Sequence, residues 1–226
     1  MQEILNSWFP NVITKIPEFQ ESIIQTLIMV GWSGSISLVI GMLLGVCVTV
    51  TREDGLMENQ AVFQVLDKIT NLFRSIPFII LLTSVMPLTR LIMGTAIGVP
   101  GAIVPLVFGT VPFFTRQIES ALSQVSPGLI EAAQSMGDSK LEIIINVYLR
   151  ESIPQIARAI SITAISLIGY TAMAGVVGAG GLGDFAIRYG HDRNQTDVTL
   201  ATVIVLVLFV SIIQLVGNVV AKKNEH

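Results

Sequence analysis

The chain has 226 residues, of which 52% are hydrophobic and only 13% are charged. Soluble domains carry about 25% charged residues, so the composition excludes an ordinary soluble globular protein. The net charge of −3 says little about partners. The single cysteine, Cys47, lies in an apolar run, which excludes an intrachain disulfide and gives no indication of metal binding.

Charged residues are missing from four long blocks of the sequence, 22–51, 91–115, 159–183 and 198–221. Each block is longer than the ~20 residues that a helix needs to cross a bilayer. A shorter apolar run, 75–89, follows a helical stretch that extends it. We therefore predict an all-α, polytopic membrane protein, a single domain over residues 1–226 with about five transmembrane helices. The predicted spans are 21–51, 61–89 with an interruption, 97–122, 151–177 and 198–221.

The distribution of Lys and Arg predicts the orientation of these spans. An odd number of spans places the termini on opposite sides of the membrane, and basic residues prefer cytoplasmic loops near span ends. With the polar loop at 130–140 inside, eight basic residues, including Arg116, lie inside and four lie outside. We expect the N-terminus outside the cell and the C-terminus in the cytoplasm.

Small residues recur at every fourth position of the first span. They are Ser33, Ser37, Gly41 and Gly45. This spacing lines small side chains along one helix face, which lets another backbone approach closely. Two interpretations stay open: the face packs against a helix of the same subunit, or it forms a seam between two subunits.

The third span contains three prolines, Pro100, Pro105 and Pro112, each of which removes a backbone donor. Broken helices persist at membrane depth only where protein or a water-filled cavity satisfies the freed carbonyls. We therefore expect a broken third span rather than a plain anchor.

A polar stripe runs along the second span. Its members, Gln60, Gln64, Asp67, Asn71 and Arg74, are spaced 4, 3, 4 and 3, which places them on one helix face. In one interpretation Arg74 lies near mid-membrane and faces a partner, a cavity or another subunit. In the other, the start of the helix projects into the cytoplasm and only Asn71 and Arg74 enter lipid depth, paired with each other or with a carbonyl. Pro77 is expected to break the helix.

The polar loop in mid-chain predicts two short helices joined at a glycine. Pro127 occupies a helix-start position, Gly137 supplies a stop or a left-handed turn, and Asp138 or Ser139 can cap the second helix. Leu129, Ile130, Ala133 and Met136 fall roughly on one face of the first helix. Ala132 and Ala133 leave a shallow surface. We therefore expect the two helices, at about 127–147, to form a docking site for another protein outside the bilayer.

The residues of this loop resemble a known motif. Glu131-Ala132-Ala133 followed after three residues by Gly137 resembles the "EAA" loop of the permease subunits of bacterial ABC importers. The stretches 71–82, 102–113 and 169–190 are similar to the methionine-uptake permeases of that family. The resemblance implies a type I importer permease fold in the bacterial inner membrane. It also implies a second copy of the chain, ABC ATPase subunits and an external substrate-binding lipoprotein as partners.

The same resemblance assigns the ATPase-coupling residues. Ala132 and Ala133 would give close contact with the ATPase, Glu131 would hold the loop by capping or by pairing with a nearby base, and Gly137 would fix the bend. No G-x-x-x-x-G-K-[ST] phosphate loop occurs, so ATP and Mg²⁺ are expected on the partner ATPase. We expect no catalytic residue, cofactor or metal in this chain.

A glycine motif near the fourth span has a structural interpretation. Gly178, Gly180 and Gly183 satisfy G-x-G-x-x-G, but that motif indicates dinucleotide binding only between a strand and a helix. Here it follows a membrane span, so we expect a flexible external turn. His191, farther along, either meets the binding protein or lies in a plain solvated loop.

Candidate residues of the translocation path are less clearly marked. Met173 lies among small residues near the end of the fourth span, together with Tyr170, and is a candidate gate; ordinary packing is the alternative. Asn71, Arg74 and Ser75 are further candidates for lining the path.

Three rival functions remain open at this point. Another amino acid or a methionine derivative is a possible substrate within the importer family. A self-contained secondary transporter or channel would need mid-membrane carboxylates or an internal repeat, and Asp67 is the only candidate acid near a span. An intramembrane enzyme lacks a plausible catalytic pair, since the only histidines are His191 and His226.

Overall fold

The computed structural model describes residues 8–224, and all regular structure in that range is helical. Of the two histidines, His226 lies outside the described residues. In chain order the helices are α1 (Pro10–Ile13), α2 (Ile16–Thr51), α3 (Gln60–Ser75), α4 (Phe78–Ser84), α5 (Met86–Met93), α6 (Gly98–Leu122), α7 (Pro127–Ser135), α8 (Lys140–Ile143), α9 (Ile153–Val176), α10 (Gly181–Phe185) and α11 (Thr196–Lys223). Helix α8 continues as a π-helical turn over Ile144–Leu149, and α10 continues as another over Ala186–His191.

Four of these helices are long and apolar enough to cross a membrane. They are α2, α6, α9 and α11. Their bounds agree with the four predicted spans to within five residues, and the largest difference is at the start of α2, which begins at Ile16 rather than at residue 21. Continuous apolar composition therefore predicts the bounds of these helices well.

The predicted second span is divided into three helices, α3, α4 and α5. The predicted break at Pro77 is confirmed, because Ile76 is extended and α4 begins directly after Pro77. A second break at Val85 was missed, although Pro87, in the first turn of α5, is a helix-start signal. The predicted break in the third span is wrong: α6 runs from Gly98 to Leu122 without interruption, with Pro105 and Pro112 inside it. A single lost donor is tolerated in such a helix when neighbouring groups satisfy the freed carbonyl.

The chain divides into two compact units. Among the described residues, the first comprises 8–35, 77–109 and 164–213, and the second comprises 36–76, 110–163 and 214–224. A buried cluster of the first unit contains Val12, Phe185, Tyr189, Val198 and Ala201. A buried cluster of the second contains Phe114, Ile118, Leu122, Ala133, Ile143, Tyr148 and Ala159.

The small residues of α2 pack inside the subunit. In the second unit, a Cβ on Gly41 would lie 2.8 Å from Cδ1 of Phe114, and one on Gly45 would lie 2.6 Å from Cβ of Ile118. Such contacts are shorter than real Cβ atoms make, so only glycine lets α2 and α6 approach this closely. For Gly41 and Gly45 the interpretation as packing within one subunit is confirmed.

Candidate coupling site

Local backbone chemistry sets the helix starts and the turn of residues 127–149, which we call the coupling region. Pro127 is the first residue of α7, and Gly137 adopts a φ of +91°, as predicted for the turn. Ser139, one of the two predicted caps, starts α8: its hydroxyl accepts from the amide of Glu142, whose carboxylate accepts in return from the amide of Ser139 at 2.8 Å. This capping box satisfies two of the donors left unpaired at a helix start.

Ala133 lies inside the protein, which corrects the expectation that it contacts the ATPase directly. Its side chain is only 2% exposed and belongs to the cluster that contains Phe114 and Ile118 of α6. Ile130, one turn away, packs against the same cluster. At position 133, α7 packs against its own unit, which requires a small side chain there. Any role of Ala133 in coupling is therefore to anchor α7.

Other residues of the coupling region point outwards. Ala132 is exposed, and so are four large apolar side chains: Leu129 (45%), Met136 (76%), Leu141 (69%) and Ile145 (59%). From sequence, Leu129 and Met136 were placed on one face with Ala133; in the structure they lie outside and Ala133 inside. Leu141 and Ile145 were not identified, although their i, i+4 spacing placed them on one face of the second helix.

The expected capping or pairing role of Glu131 is not seen in residues 8–224. Its side chain is exposed and forms no ion pair or hydrogen bond there; only its backbone carbonyl is used, by the hydroxyl of Ser135 at 2.8 Å. The reason is that Ser139 and Glu142 already cap the second helix. The carboxylate of Glu131 is thus available at the surface.

The π-helical turn anchors the second half of the coupling region. Tyr148 is 3% exposed within the buried cluster of the second unit. Burial raises the pKa of the Tyr148 phenol, and the nearby positive charge of Arg52 opposes that rise. Just beyond the turn, the Ser152 hydroxyl donates to the carbonyl of Ala121 in α6 at 3.3 Å. Both ends of the coupling region are therefore fixed to α6.

An ion-pair network within the second unit was missed by sequence reasoning. The guanidinium of Arg116 donates to the carboxylates of Asp67 and Glu119 and to Oδ1 of Asn71, the last at 2.9 Å. The amide of Asn71 donates in turn to Asp67 at 3.1 Å. From sequence, Arg116 counted only as a basic residue near a span end, and its position inside the apolar helix α6 was the available signal.

The candidate path residues fall into two groups. In the first unit, Tyr170 stacks on Phe78 with ring centroids 4.6 Å apart, and Met173 is 49% exposed. In the second unit, Asn71 joins the Arg116 network rather than pairing with Arg74, which is exposed and forms no ion pair within the described residues. Ser75 is exposed and donates to the carbonyl of Asn71 at 2.8 Å. Their role in a translocation path stays a prediction.

The glycine motif lies in a turn that is hydrogen-bonded to α2, and its expected flexibility stays a prediction. Gly178, Gly180 and Gly181 have φ values of +87°, +80° and +80°. The amide of Gly181 donates to Oε1 of Gln25 at 2.7 Å, and that of Leu182 donates to Oγ1 of Thr26 at 2.9 Å. These amides are therefore satisfied by α2, which leaves none of them for a phosphate. His191, beyond the turn, is exposed.

The sequence matches a known family and several curated proteins. Residues 37–225 match the family described as "Binding-protein-dependent transport system inner membrane component". The probable D-methionine transport system permease protein MetI of Vibrio cholerae is 46% identical over 202 residues, covering 89% of this chain and 90% of that protein. The methionine import system permease protein MetP of Bacillus subtilis is 42% identical over 170 residues, covering 75% and 77%.

Solved structures share the fold. The MetNI methionine ABC transporter in an inward-facing conformation (CY5 native crystal form) matches with a TM-score of 0.90 at 39% identity, covering 94% of this chain and 99% of that chain. An amino acid ABC transporter matches with a TM-score of 0.77 at 16% identity, over 95% of this chain and 98% of that one, which shows the fold alone. The chain therefore belongs to the family of inner-membrane components of binding-protein-dependent transport systems.

Proposed function

We propose that the chain is the permease subunit of an ATP-driven methionine importer and forms the translocation path for methionine. The relatives in Vibrio cholerae and Bacillus subtilis, both described as methionine permeases, support this substrate. The likeness of the fold to the MetNI methionine ABC transporter supports it as well. In such a system the binding protein sets most of the selectivity.

The proposed complex lies in the bacterial inner membrane. It contains two copies of this chain, two ATPase subunits and an external substrate-binding lipoprotein. ATP and Mg²⁺ bind to the ATPase subunits, and this chain catalyses no reaction of its own. The N-terminus lies outside and the C-terminus in the cytoplasm, an orientation supported by the excess of Lys and Arg near the cytoplasmic span ends.

One observation supports the coupling mechanism. The coupling region has apolar side chains both on the side that is buried in the second unit and on the opposite, exposed side. On one side Ala133 and Tyr148 are buried in the core of the second unit; on the other, Met136 and Leu141 are 76% and 69% exposed in a segment outside the spans. Large apolar side chains exposed close together in the sequence and outside the spans are typical of a protein contact. Because the inner side is close-packed, a displacement of the outer side moves α6 with it instead of being absorbed locally.

Movement of this region would then drive alternating access. Closure of the ATPase dimer on ATP pushes the two coupling regions, and the spans switch between inward-open and outward-open states. In this scheme Glu131 and Ala132 lie on the contact surface, Ala133 anchors it and Gly137 fixes the bend. The proposed gate and path residues are Met173, Tyr170, Asn71, Arg74 and Ser75.

Reconstitution tests the proposal. The complex is placed in liposomes with binding protein, and uptake of labelled methionine is measured with and without ATP. Leu141→Asp is expected to lower ATP-dependent uptake by about tenfold or more, because a charge buried in an apolar contact costs well over the free energy of one decade. Ser123→Asp, which adds the same charge just past α6 at another exposed position, is the matched control and is expected to stay within about twofold.

Other outcomes would overturn the proposal. Methionine uptake that follows an ion gradient and ignores ATP would make the chain a self-contained secondary transporter. ATP-driven uptake of a different amino acid in preference to methionine would retain the mechanism but reject the substrate. Equal uptake by the Leu141→Asp and Ser123→Asp variants would reject the coupling surface.

A further inference from the structure

Three cationic side chains of the first unit surround one tyrosine ring. Nζ of Lys15 lies 5.2 Å from the ring centroid of Tyr189, and the guanidinium carbons of Arg188 and Arg193 lie 4.9 and 4.8 Å from it. The ring is only 8% exposed and packs at 5.0 Å against Phe185, which is fully buried. The cations are therefore gathered around a fixed aromatic platform, which we call the basic cluster.

Only one of the three cations of the basic cluster forms an ion pair within residues 8–224. Arg188 pairs with Asp184 at 3.1 Å, whereas Nζ of Lys15 donates to the carbonyl of Asn11 at 3.3 Å and Arg193 forms no ion pair there. The carboxylate of Asp197 accepts from the backbone amide of Asn11 at 2.8 Å and from its side-chain amide at 3.0 Å, and forms no ion pair within the described residues. Since all three cations lie within 5.2 Å of one centroid, any two of them are at most about 10 Å apart, which is comparable to the Debye length at 0.1 M salt. Asp184 offsets part of their mutual repulsion, and a further bound anion would reduce it.

The basic cluster lies where two membrane helices begin. Lys15 immediately precedes α2, and Arg193 lies three residues before α11, both candidate spans. Arg188, with a side chain 52% exposed, lies between them in the chain and shares the same ring. Trp8, which precedes α1, is 66% exposed, and tryptophan side chains concentrate at the level of the lipid headgroups. The cluster thus lies at the start of two candidate spans and near an exposed tryptophan in the chain.

We propose that the basic cluster binds the phosphodiester of an anionic lipid headgroup. Guanidinium groups match phosphate oxygens with paired N–H donors, and Lys15 adds a point charge beside them. The position at the starts of two candidate spans favours a lipid over an acidic protein surface, because anionic headgroups attract basic residues that flank a span. In the proposed orientation these cations are outside, where Lys and Arg are disfavoured, and a bound headgroup accounts for their clustering. The inference does not rest on the importer function.

Lipid retention by the full chain tests this site. The chain is purified in detergent mixed with equal amounts of phosphatidylglycerol and phosphatidylcholine, and the lipids that stay bound are counted by mass spectrometry. Each basic residue near a headgroup contributes about 1 kcal/mol, or about fivefold in affinity. We expect enrichment in phosphatidylglycerol, and its loss in the variant that combines Lys15→Gln, Arg188→Gln and Arg193→Gln.

The matched control removes the same number of positive charges from scattered exposed positions. It combines Lys68→Gln, Lys140→Gln and Arg150→Gln, and it is expected to retain the enrichment. Should the triple variant of the cluster fail to insert, Arg193→Gln alone serves as the test, with an expected loss of about fivefold.

Three outcomes would overturn the inference. One is enrichment that survives in the cluster variant, and another is an equal loss in the control. The third is displacement of the lipid by millimolar inorganic phosphate, which would indicate a site for a soluble anion. A cluster variant that keeps its lipids but no longer binds an acidic binding protein would instead assign the surface to protein docking.

Discussion

Two regions of this chain have the same local backbone arrangement, but they differ in whether their large apolar side chains are buried. The coupling region (127–149) and the glycine-turn region (178–191) each place glycine with positive φ before a short α-helix that continues as a π-helical turn. In the coupling region Met136 and Leu141 face outwards. In the glycine-turn region the large apolar side chains Leu182 and Phe185 are fully buried.

The difference lies in whether the large apolar side chains of each segment are covered by its own unit. The glycine turn is bonded to Gln25 and Thr26 of α2 and is closed by its own unit. The coupling region is anchored on one side by Ala133, Ile143 and Tyr148, and its other side is uncovered. The exposed side of the coupling region carries large apolar side chains, which suits it to an interface, whereas the exposed side of the glycine-turn region carries Arg188 and His191.

The largest expected effect is a difference in stability between variants of the two glycine turns. Gly181 has a φ of +80°, and a Cβ there would lie 2.8 Å from both Cε of Met29 and Oγ1 of Thr26. Gly181→Val is expected to cost about 4 kcal/mol, from overpacking plus a left-handed backbone. Gly137→Ala, where nothing lies within 4 Å of the new Cβ, is expected to cost only about 1 kcal/mol. Thermal unfolding of the purified variants measures both, and equal losses would contradict the contrast.

The next effect separates the two faces of the coupling region. Ala133→Asp places an unpaired carboxyl in the buried cluster and is expected to destabilise the region by about 3 kcal/mol. Ala132→Asp adds the same group at an exposed position and is expected to leave the fold intact. Limited proteolysis within residues 127–149 provides the measurement. Faster cleavage of the Ala132→Asp variant than of the Ala133→Asp variant would reverse the assignment of inner and outer faces.

A smaller effect is expected in the ion-pair network of the second unit. Arg116→Met leaves the carboxylates of Asp67 and Glu119 without their cation, and their side chains are 30% and 21% exposed. Because this burial is only partial, we expect a loss of about 2 kcal/mol, less than for a fully buried pair. The control, Arg74→Met, removes an exposed arginine and is expected to change stability by less than about 0.5 kcal/mol. Denaturation midpoints that coincide for the two variants would show that the network contributes nothing.

The smallest effect is a pH dependence of the turn at Ser139. The hydroxyl and the backbone amide of Ser139 hold the pKa of Glu142 below its ordinary value of 4.5. Since the folded-state pKa is lowered, this stabilisation is present above pH 4.5 and is lost as the pH falls through the folded-state pKa. Amide hydrogen exchange at the start of α8 should therefore lose protection on acidification. Glu142→Gln can retain the capping box and should show no such pH dependence; an unchanged dependence would contradict the assignment.

Sequence predicted the features that depend on neighbours in the chain. The four long spans follow from continuous apolar composition, and the starts and stops at Pro77, Pro127, Gly137 and Ser139 follow from local backbone chemistry. The unbroken helix through Pro105 could not be predicted this way, because its stability depends on what surrounds the freed carbonyl.

Features that depend on residues distant in the sequence could not be predicted. Arg116 and Asp67 are 49 positions apart, and no periodicity links them. Helical spacing placed Ala133 and Met136 roughly on one face, but the position of α6 decides which of the two is buried. For the same reason the hydrogen bonds of the glycine turn could not be predicted, since its partners Gln25 and Thr26 are 156 positions away.

Cross-linking tests the central claim most directly, namely that the exposed apolar side of the coupling region seats on a separate ATPase. In a Cys47→Ser background, Met136→Cys and Arg193→Cys variants of the complex are treated with a short thiol-to-amine cross-linker. The account predicts that Met136→Cys joins the ATPase subunit and that Arg193→Cys, in the basic cluster, does not. A cross-link from Arg193→Cys to the ATPase, with none from Met136→Cys, would contradict it.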